Sequence, residues 1–305
     1  MLLATLTLLS LGLLPQDTRK PPKPADGEGV VATKDQLQVV GLANAGFLLR
    51  SGNFSVLIDA FARDSIQGYE SLPENALRKL QNGEKPFDGY ALALVSHLHP
   101  DHFHARTCER FLKNNPMAAL MSGPQVAGRL AEAAKSFADV RQQVRSISVE
   151  YGTPKAIDRG LQNMGVEFYL LPHAGAEEVG GGEVVENYGH LVNMGGFKVL
   201  HVGDADADPA AFELYDLAAK NIDIAILPYW FFTSPEGVRI VDELIAPDVT
   251  ILCHFQEAEK ALFVERLVLD SPEVVVFQSM FESRIFDRRR PPDAAEKGEP
   301  ESSDD

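Results

Sequence analysis

Four of the chain's eight histidines, with one aspartate among them, fall within eight positions in the string Ser96-His97-Leu98-His99-Pro100-Asp101-His102-Phe103-His104. Crowding imidazoles together gains a soluble protein no stability. Protonated rings repel one another, and buried neutral rings each need hydrogen-bond partners. Neutral imidazole is, however, the commonest side-chain ligand for a transition metal. The chemistry this string suits is the capture of a divalent cation and, through it, the activation of water. Three further donors stand far away in sequence: His173, Asp204 and His254. With His97, His99, Asp101 and His102 they make seven N or O donors. One zinc ion takes about four, so seven donors and a water suit two ions that share a carboxylate.

Such distant residues meet only if the elements carrying them end at one rim. The string follows the apolar run Tyr90–Ser96, His173 follows Val166–Pro172, Asp204 follows Phe197–Gly203, and His254 ends Val249–Cys253. Each run reads as a buried strand, so every candidate ligand sits where a strand stops. Upstream, Gln36–Val40, Gly46–Arg50 and Ser55–Asp59 are short apolar runs separated by turn residues, the pattern of a strand meander. Helices are predicted over Pro73–Leu80, Arg106–Asn114 and Gly123–Phe137, the last two flanking a strand at Met117–Met121. Strands follow at Val144–Val149 and Asn187–Met194, with Gly195-Gly196 as a hairpin turn before Phe197. Asp208 as N-cap and Pro209 at the first helical position predict a helix over Asp208–Asn221. Strands Ile222–Pro228 and Val249–His254 bracket a helix Pro235–Ala246. A helix Glu257–Asp270 precedes a last strand, Glu273–Phe277. Strands interleaved with helices without a clean βαβ period predict two mixed sheets with helices on both outer faces.

The chain has 305 residues, 45% of them hydrophobic, enough to bury a large core. Its net charge of −16, from 28 basic and 44 acidic residues, argues against a nucleic-acid partner, which needs a basic surface. Two cysteines, Cys108 and Cys253, make no disulfide framework, and their spacing leaves a single bridge open. Residues 1–34 read as a signal-like apolar segment, Leu2–Leu14, followed by a Pro- and Gly-rich linker. The segment is too short to span a bilayer and suits export, so a secreted or periplasmic protein without a stable transmembrane anchor is expected. Residues 35–286 form the folded domain, and residues 287–305 form an acidic tail expected to be disordered.

The string His97-Leu98-His99-Pro100-Asp101-His102 has the His-x-His-x-Asp-His form of the metallo-β-lactamase superfamily, and His173, Asp204 and His254 follow in that superfamily's order. Gly41–Ala60 resembles the superfamily's N-terminal strands, which end in an aspartate, here Asp59. Lys198–Asp206 resembles its Gly-Asp motif. The resemblance runs from about Gln36 to Phe277 and implies an α/β fold, a four-layer αββα sandwich with a metal site on one edge. Carried over residue by residue, His97, His99 and His173 resemble the ligands of a first ion and Asp101, His102 and His254 those of a second. Asp204 resembles the carboxylate bridging them. His190 competes with His173 for the third position. His173 is preferred because it stands at a strand end, 204 − 173 = 31 residues before the bridging aspartate. That spacing resembles the branch with N-acylphosphatidylethanolamine phospholipases and ascorbate-phosphate lactonases.

The resemblance implies a metal-dependent hydrolase with two divalent ions, zinc first, with manganese or iron open. A water held between two such ions has its pKa lowered toward neutrality and becomes a nucleophile, with Asp101 both ligand and proton acceptor. Family members that cleave β-lactams commonly carry a cysteine where Asp204 stands, and the redox branch carries a glutamate in place of His99; neither fits. The expected substrate is an ester, lactone or phosphodiester of a small or lipid-like molecule. The alternative from another class is a metal-binding or sensor protein without turnover. Trp230 and Phe231, at the end of a strand, and His104, at the start of a helix, are candidate substrate contacts. Asp59 is expected to orient a ligand histidine, and His190 and His201 to be packed or bonded to carbonyl groups.

Overall fold

The structure is a computed structural model. It describes residues 33–288 apart from 34, 64–67, 162–163, 176–177, 180–182, 257, 259, 262 and 265–272. The signal-like segment, its linker and the tail beyond Arg288 lie outside the described residues, as does most of the helix expected over Glu257–Asp270.

Two seven-stranded mixed sheets face each other. The first contains β1 (Gln36–Ala43), β2 (Gly46–Ser51), β3 (Phe54–Ile58), β4 (Tyr90–Val95), β5 (Ala119–Ser122) and β6 (Val144–Ser146). The second contains β7 (Lys155–Leu161), β8 (Met164–Leu171), β11 (Asn187–Met194), β12 (Phe197–His201), β13 (Ile224–Pro228), β14 (Val249–Cys253) and β15 (Val274–Val276). Between β8 and β11 a small ribbon pairs β9 (Glu178–Val179) with β10 (Glu183–Val184). A last strand, β16 (Ser283–Asp287), returns to pair antiparallel with β1, so the first sheet runs β16-β1-β2-β3-β4-β5-β6. Within each sheet the halves differ in sense. β16 through β3 are antiparallel and β3 through β6 parallel, while β12 through β15 are parallel and β7, β8, β11 and β12 antiparallel.

Strand alternation writes the layers directly. On β4, Leu92 and Leu94 enter the core between the sheets, while Ala93 and Val95 face the helices outside. On β13, Ile224 and Ile226 point between the sheets, and Ala225 and Leu227 point outward. The first sheet's outer face is covered by α1 (Glu74–Asn82), α2 (Ala105–Asn114), α3 (Pro124–Ala133) and α4 (Phe137–Val140). The second sheet's outer face is covered by α5 (Pro209–Phe212), α6 (Pro235–Arg239) and the π-helical turn Ile240–Ile245 that continues it. Four layers result, the αββα sandwich of the metallo-β-lactamase type. Each large side chain fully buried in these three cores contributes about 1.5–3 kcal/mol.

Two local expectations differ from the structure, and the open question of a bridge is closed. The helix expected over Gly123–Phe137 breaks after Ala133, because the buried Glu109 carboxylate of α2 accepts the amides of Lys135 and Ser136. The helix expected over Asp208–Asn221 starts as read, with Asp208 capping Ala210 N, but ends at Phe212. There the Tyr215 hydroxyl donates to Leu170 O (2.6 Å) and accepts from Gly152 N, tying the chain to the second sheet. Cys108 and Cys253 are both free and buried, one under the helices and the other between the sheets, so they form no bridge. The Gly195-Gly196 turn is as expected, with both residues at positive φ (61° and 85°), the conformation of a tight hairpin. Among the described residues no helix is long and apolar enough to cross a membrane.

Candidate metal centre

The seven candidate ligands converge at the rim where β4, β8, β12 and β14 end. They fall into two groups, His97, His99, His173 and Asp204, and then Asp101, His102, Asp204 and His254. Within each group the donor atoms all lie within 4.8 Å of one another. Asp204 belongs to both.

The loop after β4 is held from beneath by Asp59, whose backbone sits in the left-handed region (φ 48°). Its carboxylate accepts Ser96 N (2.7 Å), Ser96 Oγ (2.6 Å) and His102 Nδ1 (2.9 Å). Proton bookkeeping then assigns the tautomers. The single Ser96 hydroxyl proton goes to the carboxylate, so Ser96 Oγ accepts from His97 Nδ1 at 2.9 Å. With Nδ1 protonated on both rings, His97 Nε2 and His102 Nε2 are left as lone pairs turned to the site. His97 Nε2 and His99 Nδ1 lie 3.1 Å apart. That is close to the edge of a tetrahedron with ligands about 2.0–2.1 Å from its centre.

His173 and Asp204 are brought together by backbone. Ala174 N donates to Asp204 O and Asp206 N donates to Pro172 O, both at 2.8 Å, forming a short bridge between the two loops. Asn187, fully buried at the start of β11, supports the second of these loops. Its Oδ1 accepts Asp204 N and its Nδ2 donates to Val202 O, each at 3.0 Å. Gly203 between them has φ 60° and no room for a side chain, since a Cβ would lie 2.7 Å from Ser96 Cβ and collide with Asn187 Oδ1. His254 leaves β14 with φ 63°, which is uncommon for a non-glycine residue and costs backbone energy that the surroundings must offset.

The donor set fits divalent cations. His102 Nε2, both ring nitrogens of His173 and of His254, and Asp204 Oδ1 are buried without a hydrogen-bond partner among the described residues. His254 Nε2 lies 3.0 Å from Asp204 Oδ2 and 3.3 Å from Asp101 Oδ2, near both carboxylates without hydrogen-bond alignment to either. Buried polar atoms that face one another without bonding are costly unless something shared satisfies them. Charge points the same way. Burial by itself would raise the Asp101 carboxyl, but the neighbouring His102 and His254 rings outweigh it and hold it well below the usual carboxylate range. Burial would lower His254, yet the Asp204 and Asp101 carboxylates lift it to about 9. Two ionised carboxylates therefore demand positive charge here, which a metal supplies in place of protons.

The remaining candidates have other places. His190 is fully buried on β11, its ring edge-on to Phe168 at 5.0 Å, and belongs to neither group. His201 donates from Nε2 to Ala45 O (3.1 Å) and accepts Gly203 N on Nδ1, a packed histidine bonded to a carbonyl. His104 caps α2 by accepting Thr107 N and bonding its hydroxyl, so its ring serves the helix start. Trp230 stands edge-on to His254 at 5.1 Å and donates to Ala205 O. Phe231 departs from expectation: it is fully buried against Phe212 in the outer core and lines no cleft, because the short helical turn after β13 aims it inward. Sequence reasoning missed Ser96, Asn187, Asn44 and Tyr69, whose ring is edge-on to His254 at 4.8 Å. None carries a motif signal, and Asn44 reads in sequence only as a turn residue.

The chain belongs to the β-lactamase superfamily. The profile of the family described as "Beta-lactamase superfamily domain" matches residues 38–230, more than half of the chain. A comparison with curated proteins gives no match. Among solved structures, the chain is similar to Igni18, a metallo hydrolase from the archaeon Ignicoccus hospitalis. The identity is 16% over 83% of this chain and 100% of that one, with a TM-score of 0.55. It is similar to an isothiocyanate hydrolase from Delia radicum gut bacteria, at 12% identity over 82% and 99% of the two chains and a TM-score of 0.57. It is also similar to CmlA, a diiron β-hydroxylase from Streptomyces venezuelae, at 16% identity over 85% of this chain and 55% of that chain, TM-score 0.50. At these identities the likeness is one of fold. Fold and donor set together define a metal-dependent enzyme of this superfamily.

Proposed function

We propose that the protein is a dinuclear metal-dependent hydrolase acting on an ester, lactone or phosphodiester of a small or lipid-like molecule. One observation carries this reading: two four-residue donor groups meet at the shared carboxylate Asp204. When bound, two divalent cations, zinc foremost, lower the pKa of a water and polarise a carbonyl or phosphoryl oxygen.

The chain's own residues supply the rest. Asp59 and Ser96 set the tautomers of His97 and His102, so lone pairs and not N–H groups face the centre. Asp101, a carboxylate of the second donor group held ionised beside His102 and His254, orients the attacking water and accepts its proton. Tyr69 and Trp230, partly exposed against His254, offer flat apolar contacts to the substrate's hydrophobic part. The 31-residue spacing from His173 to Asp204 supports kinship with the phospholipase and lactonase branch. The structural neighbours include both hydrolases and a hydroxylase, so likeness of fold by itself does not choose the reaction.

The test is elemental analysis with a hydrolysis panel of phosphodiesters, lactones and phospholipids on metal-loaded protein. About two metals per chain and turnover in one class are expected. Asp101→Asn should lower kcat on the order of 10²-fold with KM little changed, because an amide keeps the shape but takes no proton. Two bound metals with no turnover across the panel would instead support the metal-binding or sensor reading.

A further inference from the structure

The turn between β1 and β2, Asn44-Ala45, reaches across from the first sheet to elements that carry the site. Asn44 Nδ2 donates to Asp101 Oδ2 at 2.8 Å. The carboxylate can only accept, so the amide nitrogen is the end that faces it. The carbonyl of the same residue accepts His254 N at 3.4 Å. The next residue, Ala45, accepts His201 Nε2 through its own carbonyl. Asn44 has φ 41°, a left-handed conformation that asparagine and glycine adopt more readily than other residues, and it is this conformation that turns both its side chain and its carbonyl inward.

We infer that Asn44 is a positioning residue for the second donor group, holding Asp101 through its side chain and the His254 loop through its backbone. This rests on the two-ion reading above. The selectivity follows from what else holds each ligand. In the first group, His97 is oriented by Ser96 and His173 by the backbone bridge to the Asp204 loop. Asn44 touches none of them among the described hydrogen bonds. In the second group, His102 has Asp59 and Asp204 has Asn187, which leaves Asp101 and His254 as the ligands that depend on the turn. Partners that orient metal ligands in this way typically govern about 10–100-fold in metal affinity.

The variant is Asn44→Gly, which tolerates the left-handed backbone, removes the side chain that holds Asp101 and leaves the carbonyl that accepts His254 N in place. Metal-stripped wild type and variant are titrated with Zn2+ against a chromophoric chelator, and the unfolding of each is followed without metal. Wild type should take up two equivalents. The variant should bind the first as wild type does, bind the second about 10–100-fold more weakly, and melt unchanged when metal-free. Two equivalents bound with wild-type affinity would overturn the inference. So would equal weakening of both with a lowered metal-free melting temperature, which would mark a general structural role. A wild type that never takes a second equivalent would sink the two-ion reading, and this inference with it.

Discussion

His190 and His173 show how differently one residue type behaves inside a strand and at a strand end of the same sheet. His173 stands at a strand end among the candidate ligands, while His190 is sealed inside β11 against Phe168. Burial pushes the His190 ring down to about 3 from an ordinary 6.5, against a smaller opposing pull from Asp59. The linkage follows from that direction. Below pH 6.5 the unfolded chain binds a proton that the folded chain refuses. The associated stability is therefore fully present above pH 6.5 and is lost progressively as pH falls toward 3, at up to about 1.4 kcal/mol per pH unit. His190→Phe removes that term and two unsatisfied nitrogens while keeping a ring of similar shape. Urea unfolding midpoints measured from pH 7 to pH 4 should fall less steeply in the variant, with metal content unchanged. Parallel pH profiles would refute this account of His190, and loss of metal would mean that it, not His173, is the third ligand.

The elements that matter most are the loops leaving the strands, because strand ends bring residues to the rim but do not orient them. The loop after β12 is the tightest. Gly203 lies at φ 60° between the His201 ring, Ser96 and Asn187, and its N–H is bonded to His201 Nδ1. Gly203→Ala should cost about 1–3 kcal/mol for the left-handed backbone alone, with the clash against Asn187 added. Because Asn187 also accepts Asp204 N, the same change should reduce metal uptake at the shared ligand. Chemical denaturation and elemental analysis on the same preparation check both. A variant as stable as wild type would show that the loop relaxes freely.

For the molecule as a whole, the site is a clasp between sheets. Asp101, His97, His99 and His102 come from the first sheet's edge, and His173, Asp204 and His254 from the second's. Metal bound across them would favour the folded state by mass action, about 4 kcal/mol at a thousandfold excess over Kd. At about 2–4 °C per kcal/mol for a chain of this class, chelation should lower Tm by roughly 10 °C, and zinc should restore it. The effect should shrink as pH falls below about 5, because protons then compete for the imidazoles. A melting temperature indifferent to chelator at pH 7 would argue that the sheets do not depend on the ions.

The donor types, their order and the strand that delivers each one were legible in the chain itself. The reason is local. Alternation and apolar runs report burial within a few residues, and the His-x-His-x-Asp-His string is contiguous. The hairpin at Gly195-Gly196 and the cap at Asp208 were legible for the same reason. Where helices stop was not, since Glu109 ends α3 and Tyr215 ends α5 through contacts with distant partners. The inward turn of Phe231 was equally hidden; of the supports of the site, Asp59 under His102 was expected, and the others were not. Ser96, Asn187 and Asn44 are ordinary polar residues in sequence. They acquire their roles only because strand pairing within each sheet brings Asp59 to Ser96, Asn187 to Asp204 and Asn44 to Asp101, and because the facing of the sheets brings the Asn44 carbonyl to His254 N. Ligand identity is a property of side-chain chemistry and can be read along the chain. Ligand orientation is a property of non-local hydrogen bonds, and only the tertiary structure decides those.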